Sequence, residues 1–166
     1  MDKRTLRDLQ APLKARYRDL PEAALVTLKA AGVLGEGVTC RVNTGRALAE
    51  AGLHPATGGS GLEGCSGDML LEALVACAGV TMRAVATAIG VEVRSGTVRA
   101  EGDLDFRGTL GVTKDAPVGF TEIRLWFELE TAATPYELAT LLKLTERYCV
   151  VLQTLKGVSV QADIVS

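Results

Sequence analysis

The chain has 166 residues, 48% of them hydrophobic and 23% charged, with a formal net charge of -2 at pH 7. This length and composition predict one globular domain over residues 1–166 and exclude a disordered chain or two separate cores. The acidic balance and the aromatic content of 4% argue against nucleic acid as a partner, because phosphates require basic surfaces and stacked bases require aromatic side chains.

Residues 1–34 are predicted to form a helical arm that packs on the body of the domain or on a neighbouring subunit. Pro12 is expected to break or bend its first helix, and a second helix is expected over residues 20–31, ending at Gly32. The apolar side chains that recur at helical spacing in the first helix are Leu6, Leu9, Leu13 and Tyr17.

The next segment contains the signature of a half-buried strand. Val38, Cys40 and Val42 alternate with polar residues, which would place Cys40 in the core. Residues 45–53 are a weaker candidate for a second short strand. The Gly-rich stretch from His54 onwards lacks a Walker lysine and G-x-G-x-x-G spacing, so phosphate binding is not indicated.

Residues 68–89 are predicted to form a long helix that ends at Gly90. The segment has no proline and is apolar nearly all round. Because it carries Glu72 and Arg83 and is rich in alanine, we interpret it as a core helix and expect no membrane span. One small domain covers such a helix on all sides with difficulty, so the helix also predicts a dimer interface.

The remaining segments predict strands, one helix and a last strand, which together indicate an α+β fold. Strands are expected over residues 91–100, 104–111 and 120–130, the last with the clearest alternation. A helix is expected to begin near Thr134, because a proline and an early acid follow it. Residues 158–165 are predicted to form the closing strand.

Candidate chemistry is confined to the thiols. A single histidine and four dispersed cysteines argue against a metal site, and we expect no cofactor. A Ser-His-Asp triad would need His54, but no G-x-S-x-G elbow supports it. The N-terminal residues lack the apolar core of a secretion signal, which predicts a cytoplasmic protein whose thiols stay reduced.

Cys77, in the middle of the long helix, and Cys149, after the second helix, are the candidates for thiol chemistry. Burial in an apolar helix raises the pKa of a thiol, so a reactive Cys77 would need a cation beside it. Arg83 lies six residues after Cys77 and points to another side of the helix. Of the other candidates, Arg41 and Arg46, the loop residue Arg46 is preferred. From the residues alone, an inert packing role for Cys77 remains open.

These residues resemble the OsmC/Ohr family of osmotically induced and organic hydroperoxide resistance proteins. The resemblance rests on Gly58-Gly59, the helix segment up to Cys77, Val80 to Arg83, and Tyr148-Cys149, and it covers about residues 36–165. It implies an OsmC-like fold, with antiparallel sheets around a long buried central helix. It also implies an intertwined homodimer with active sites at the subunit interface.

The resemblance further implies a cysteine-based thiol peroxidase. Cys77 would be oxidised to a sulfenic acid by an organic or hydrogen peroxide, and Cys149 would then form a disulfide with it. An external dithiol, of the lipoyl type, would reduce the disulfide. Asp68 would match the family's acid near the thiolate, and Arg46 its arginine.

Two departures from the family pattern leave alternatives open. The family usually has proline after the second cysteine, where this chain has Val150, and a glutamate where it has Asp68. Asp68 could instead be a plain helix N-cap, and Cys65 is either a spectator or another resolving thiol. The alternative function is a non-catalytic dimer of this fold that binds a small apolar ligand between its subunits.

Overall fold

The computed structural model describes residues 3–35, 40–42, 51–62, 64–155, 157 and 159–165, and the account below concerns these residues. The helices are α1 (Lys3–Asp19), α2 (Ser66–Ile89), α3 (Phe106–Thr109), α4 (Pro135–Tyr148) and α5 (Val150–Thr154). The strands are β1 (Leu25–Leu34), β2 (Cys40–Val42), β3 (Ser95–Asp105), β4 (Phe120–Glu130) and β5 (Ser159–Val165).

The five strands form one mixed sheet in the order β2-β1-β3-β4-β5. Strands β1 to β4 pair antiparallel, whereas β5 runs parallel to β4. The α+β class is therefore confirmed, but the expected purely antiparallel arrangement is wrong for β5. The chain reaches β5 from β4 through α4 and α5, and a helical crossover of this kind allows two strands to run parallel.

The second N-terminal helix expected over residues 20–31 is not formed. A short 3-10 turn (Pro21–Ala24) leads into β1, which pairs with β3 along nearly its whole length. Burial alternates as in a strand, since Ala30 and Leu34 are buried while Leu25 and Val33 are exposed. The alanine-rich composition favours a helix only weakly, and pairing with β3 overrides that preference.

Helix α1 is confirmed up to Asp19, and Pro12 lies inside it without ending it. The Tyr17 hydroxyl is buried and donates to the carbonyl of Ala56 at 2.8 Å, and the Gln10 amide donates to the carbonyl of Thr57 at 3.2 Å. The helix therefore packs on the body of its own chain.

Beyond Gly90 the predicted strands are confirmed over residues 95–105 and 120–130, but not over 104–111. The β3 strand ends at Asp105, whose carboxylate accepts from the backbone N–H of Arg107 at 3.0 Å and caps α3. Helix α4 begins as predicted after Thr134, which forms a reciprocal capping box with Glu137.

Helix α2 packs on one face of the sheet and against α4, and this contact forms the core. The helix begins at Ser66, two residues before the predicted start, and ends at Gly90, which adopts a left-handed φ of 76°. By length and composition it resembles a membrane span, but we interpret it as a core helix because it has a continuous buried face. That face comprises Leu71, Leu74, Val75, Ala78, Gly79, Met82, Val85 and Ala86.

The opposite face of the sheet carries ion pairs centred on Arg124. Its guanidinium donates to both carboxylate oxygens of Asp103, at 2.5 and 2.9 Å, and lies 3.3 Å from Glu122. The Thr27 hydroxyl also donates to Asp103, at 2.6 Å. The hydrogen bonds from Arg124, with a smaller contribution from Thr27, lower the pKa of Asp103 to about 2 against the opposing effect of burial.

The low pKa of Asp103 predicts a pH-dependent contribution to stability. Because the pKa is lower in the folded state, the stabilisation is complete well above the unfolded value of about 4 and is lost as pH falls toward 2. We expect Asp103→Asn to lower the free energy of unfolding by about 1–2 kcal/mol at pH 7 and by much less near pH 2. Urea unfolding at both pH values measures this, with the exposed Glu92→Gln as control. An equal loss at both pH values would contradict it.

Candidate thiol site

Cys77 lies in the middle of α2, where the buried face of the helix meets its exposed face. The side chain is half-buried, rather than fully buried as expected. Leu74 and Ala78 on one side are fully buried, whereas Leu70 and Val80 on the other are 36% and 39% exposed. The sulfur therefore borders the core and remains open to solvent.

Cys149 is fully buried at the junction of α4 and α5. Its backbone N–H donates to the carbonyl of Thr145 at 2.9 Å and completes the last turn of α4. Its own carbonyl accepts from the N–H of Gln153 at 2.9 Å and begins α5. Hydrogen bonds on both sides thus hold the residue in place.

The structure brings the two predicted cysteines together. Helix α5 packs against α2, and the thiol of Cys149 donates a hydrogen bond to the sulfur of Cys77. A direct contact between two thiols is the arrangement that disulfide formation requires.

The surroundings of Cys77 favour its thiolate. Burial alone would raise the pKa of Cys77, but hydrogen bonds more than offset that effect and the net pKa is lowered. In decreasing order of effect, the donors are the backbone amide of Val151, the Cys149 thiol, the Thr81 hydroxyl and the backbone amide of Val150.

Cys149 shows the opposite behaviour. Burial, together with its hydrogen bond to Cys77 and the charge on that sulfur, raises the pKa of Cys149 to about 11. At neutral pH the pair therefore consists of an acceptor sulfur at Cys77 and a protonated thiol at Cys149. The proton sits on the buried member, and the exposed member is the stronger nucleophile.

The cation expected beside Cys77 cannot be assigned to Arg46, which lies outside the described residues. The same holds for the side chain of Arg41, since only the backbone of β2 is described. The guanidinium of Arg83 donates to the carbonyl of Val93, which ties α2 to the segment after it. Within the described part of the chain, the groups that lower the pKa of Cys77 are hydrogen-bond donors.

The residues near the start of α2 lie far from Cys77 within one chain. Cys65 is the N-cap residue and Asp68 is in the first turn, so the alternative of Asp68 as the N-cap is wrong. At 1.5 Å per residue, Cys65 and Asp68 are about 18 and 14 Å from Cys77 along the axis. Neither contacts the Cys77 sulfur directly in one chain. Burial, with the nearby charge of Asp68, raises the pKa of Glu72.

His54 has a structural role in its loop. Its Nδ1 accepts from the backbone N–H of Ala56 at 3.0 Å, and its ring stacks on Phe106 with 5.0 Å between centroids. Among the described residues, no three His, Cys, Asp or Glu side chains are grouped as metal ligands.

The sequence analysis missed three donors to Cys77. Thr81 follows Cys77 by four residues, and helical spacing places such side chains side by side, so this contact was accessible from the sequence. The amides of Val150 and Val151 give no such signal, because a backbone donor does not depend on the side chain. The departure from proline at Val150 does matter, since proline has no N–H to donate.

Comparison with known structures supports the same fold. The chain is similar to the OsmC-like protein from Mycoplasma pneumoniae, with 17% identity and a TM-score of 0.57 over 86% of this chain and 96% of that one. An organic hydroperoxide resistance protein OsmC from Legionella pneumophila, described as a predicted redox protein and regulator of sulfide bond formation, gives 15% and 0.56 over 85% and 97%. An OsmC-like hydroperoxide resistance protein from Jannaschia sp. CCS1 gives 18% and 0.56 over 86% and 91%.

The sequence comparisons give a narrower result. No curated protein matches the chain. The family model described as OsmC-like protein matches residues 59–163, which is more than half of the chain and includes both Cys77 and Cys149. The chain therefore belongs to the OsmC-like protein family.

Proposed function

We propose that the chain is a thiol peroxidase that reduces hydroperoxides through Cys77 and Cys149. The observation that carries the proposal is the contact between the two thiols, in which the half-buried sulfur accepts and the buried thiol donates. The accessible sulfur can meet a small oxidant, and the buried thiol beside it can resolve the product. Hydroperoxide resistance proteins among the structures of similar fold support this reading.

The first step oxidises Cys77. Its thiolate attacks the terminal oxygen of the hydroperoxide, an S–O bond forms and the O–O bond breaks. The hydroperoxide is reduced to an alkoxide, which takes up a proton and leaves as an alcohol, or as water when the oxidant is hydrogen peroxide. The sulfur is left as a sulfenic acid, two electrons more oxidised than the thiol.

The second step forms the disulfide. The sulfur of Cys149 attacks the sulfenic sulfur of Cys77, and the S–O bond breaks as the S–S bond forms. The hydroxide that leaves takes up the proton that Cys149 carried and departs as water. An external dithiol of the lipoyl type would then reduce the disulfide by two thiol exchanges, becoming a cyclic disulfide itself. The cytoplasm, where we expect this chain, keeps such dithiols reduced.

We also propose that the protein is a homodimer through the exposed face of α2. Leu70 and Val80 lie in an apolar row on that face, together with the exposed Ala73 and Ala84. Helical spacing places Cys77 within the same row. A second copy packed on this row would cover the apolar side chains and would complete the surroundings of the thiol site.

Single-cysteine variants test the assigned roles. After one equivalent of cumene hydroperoxide, intact and peptide mass spectrometry should find a Cys77–Cys149 disulfide in the wild type and one added oxygen on Cys77 in Cys149→Ser. Cys77→Ser should consume no peroxide. The matched control, Cys65→Ser, should behave like the wild type because Cys65 is about 18 Å away along α2. If the wild-type thiols stay unoxidised, a non-catalytic ligand-binding protein is favoured instead.

The unequal pKa values predict an order of alkylation in the reduced protein. Because the pKa of Cys77 is lowered and that of Cys149 is raised to about 11, iodoacetamide should label Cys77 at neutral pH and leave Cys149 unlabelled. Labelling of Cys149 should rise only as the pH approaches 11. Peptide mass spectrometry across a pH series measures both rates. Equal labelling of the two cysteines at neutral pH would be incompatible with the proposed division of roles.

The proposed dimer interface can be tested by adding charge to the row. Ala73→Lys places an ammonium in the apolar contact, so we expect a shift from dimer to monomer by light scattering. Val118→Lys is the control, because Val118 is 76% exposed and lies in a loop away from α2. A wild type that is already monomeric at micromolar concentration, or an Ala73→Lys variant that remains dimeric, would contradict this interface.

A further inference from the structure

The sulfur of Cys77 is contacted by donors from two separate parts of the chain. One is the Thr81 hydroxyl, one turn further along α2. The others are the amides of Val150 and Val151 at the start of α5, which packs against α2. Donors on two sides define both the protonation and the position of the sulfur.

The Val150 amide is available for this contact because of its place in the chain. Val150 is the first residue of α5, and the first amides of a helix have no carbonyl partner within it. Its side chain is 71% exposed, so the residue contributes to the site through its backbone. Cys149 before it is extended, with φ -72° and ψ 107°, and aims this amide toward α2.

Thr81 contributes through its side chain. It is half-buried on the same helix as Cys77, and the four-residue spacing keeps its hydroxyl next to the sulfur whatever α5 does. The two donors therefore act independently, one from within α2 and one from outside it.

The charged groups around this site are directed elsewhere or are themselves part of the pair. Cys149 is the titratable side chain that acts on Cys77 among the described residues. On α4, Arg147 lies over the ring of Tyr148 at 5.5 Å, and the pKa of Glu146 is raised by burial and by Asp163 of β5. On α2, Arg83 donates to Val93.

We propose that the Val150 amide and the Thr81 hydroxyl are positioning groups that hold Cys77 as the nucleophilic member of the thiol pair. The inference rests on the proposed function, since it explains which of two contacting thiols attacks the peroxide. Without these donors the desolvated sulfur of Cys77 would keep its proton, and the difference between the two thiols would shrink.

A proline substitution removes the Val150 donor with little other change. Proline lacks the N–H, is favoured at the first position of a helix and follows extended residues readily. We expect Val150→Pro to move the pH midpoint of Cys77 alkylation upward by about half to one unit. That shift corresponds to about three- to tenfold less thiolate at neutral pH. Val150→Ala keeps the amide and should titrate like the wild type.

A second pair of variants keeps the test decisive if Val150→Pro fails to fold, as judged by circular dichroism. Thr81→Val removes the hydroxyl at nearly constant shape and should give an upward shift of similar size, whereas Thr81→Ser retains the donor and should not. A folded Val150→Pro and a Thr81→Val that both titrate like the wild type would overturn the inference. So would an equal shift in Val150→Ala and Val150→Pro.

Peroxide consumption by the wild type separates this inference from the proposed function. If the shifts occur but the wild type consumes no cumene hydroperoxide, the peroxidase proposal fails and the positioning of Cys77 stands. If peroxide is consumed while all four variants keep the wild-type alkylation profile, the peroxidase proposal stands and the positioning inference fails.

Discussion

The packing of α2 on the sheet is the contact on which the rest of the structure depends. Each large apolar side chain buried on its inner face contributes roughly 1.5–3 kcal/mol, and the helix has eight buried residues there. The sheet and α4 cover one side of the helix and leave the other side exposed. Cys77 lies at the boundary between the two sides, and that position gives its thiol both a desolvated and an accessible side.

Contact between two thiols also couples their protons. Two ionised sulfurs in direct contact would repel each other, so the loss of the first proton makes loss of the second harder. Burial penalises a charge on Cys149 more than on Cys77, because Cys149 is fully buried and Cys77 is only half-buried. The hydrogen bond from Cys149 to Cys77 is thus the expected result of unequal burial.

The elements that were predictable from the sequence are those whose signal is local. The alternation over residues 120–130, the capping pair Thr134 and Glu137, and Gly90 at the end of α2 all act within a few residues. The segment over residues 20–31 was mispredicted because its state depends on β3, about 70 positions later. Alanine-rich composition favours a helix by less than the pairing of ten residues with a neighbouring strand contributes.

The same distinction applies to the site. Cys77 and Cys149 were identifiable because reactive residue types can be read from a sequence, and Thr81 could have been found by helical spacing. The backbone amides could not, because any residue but proline offers one and only the packing of α5 on α2 brings them to the sulfur. A search for a cation therefore looked for the wrong kind of group. A desolvated thiolate needs compensating positive ends of dipoles, and backbone N–H groups supply these without adding a formal charge to an apolar helix.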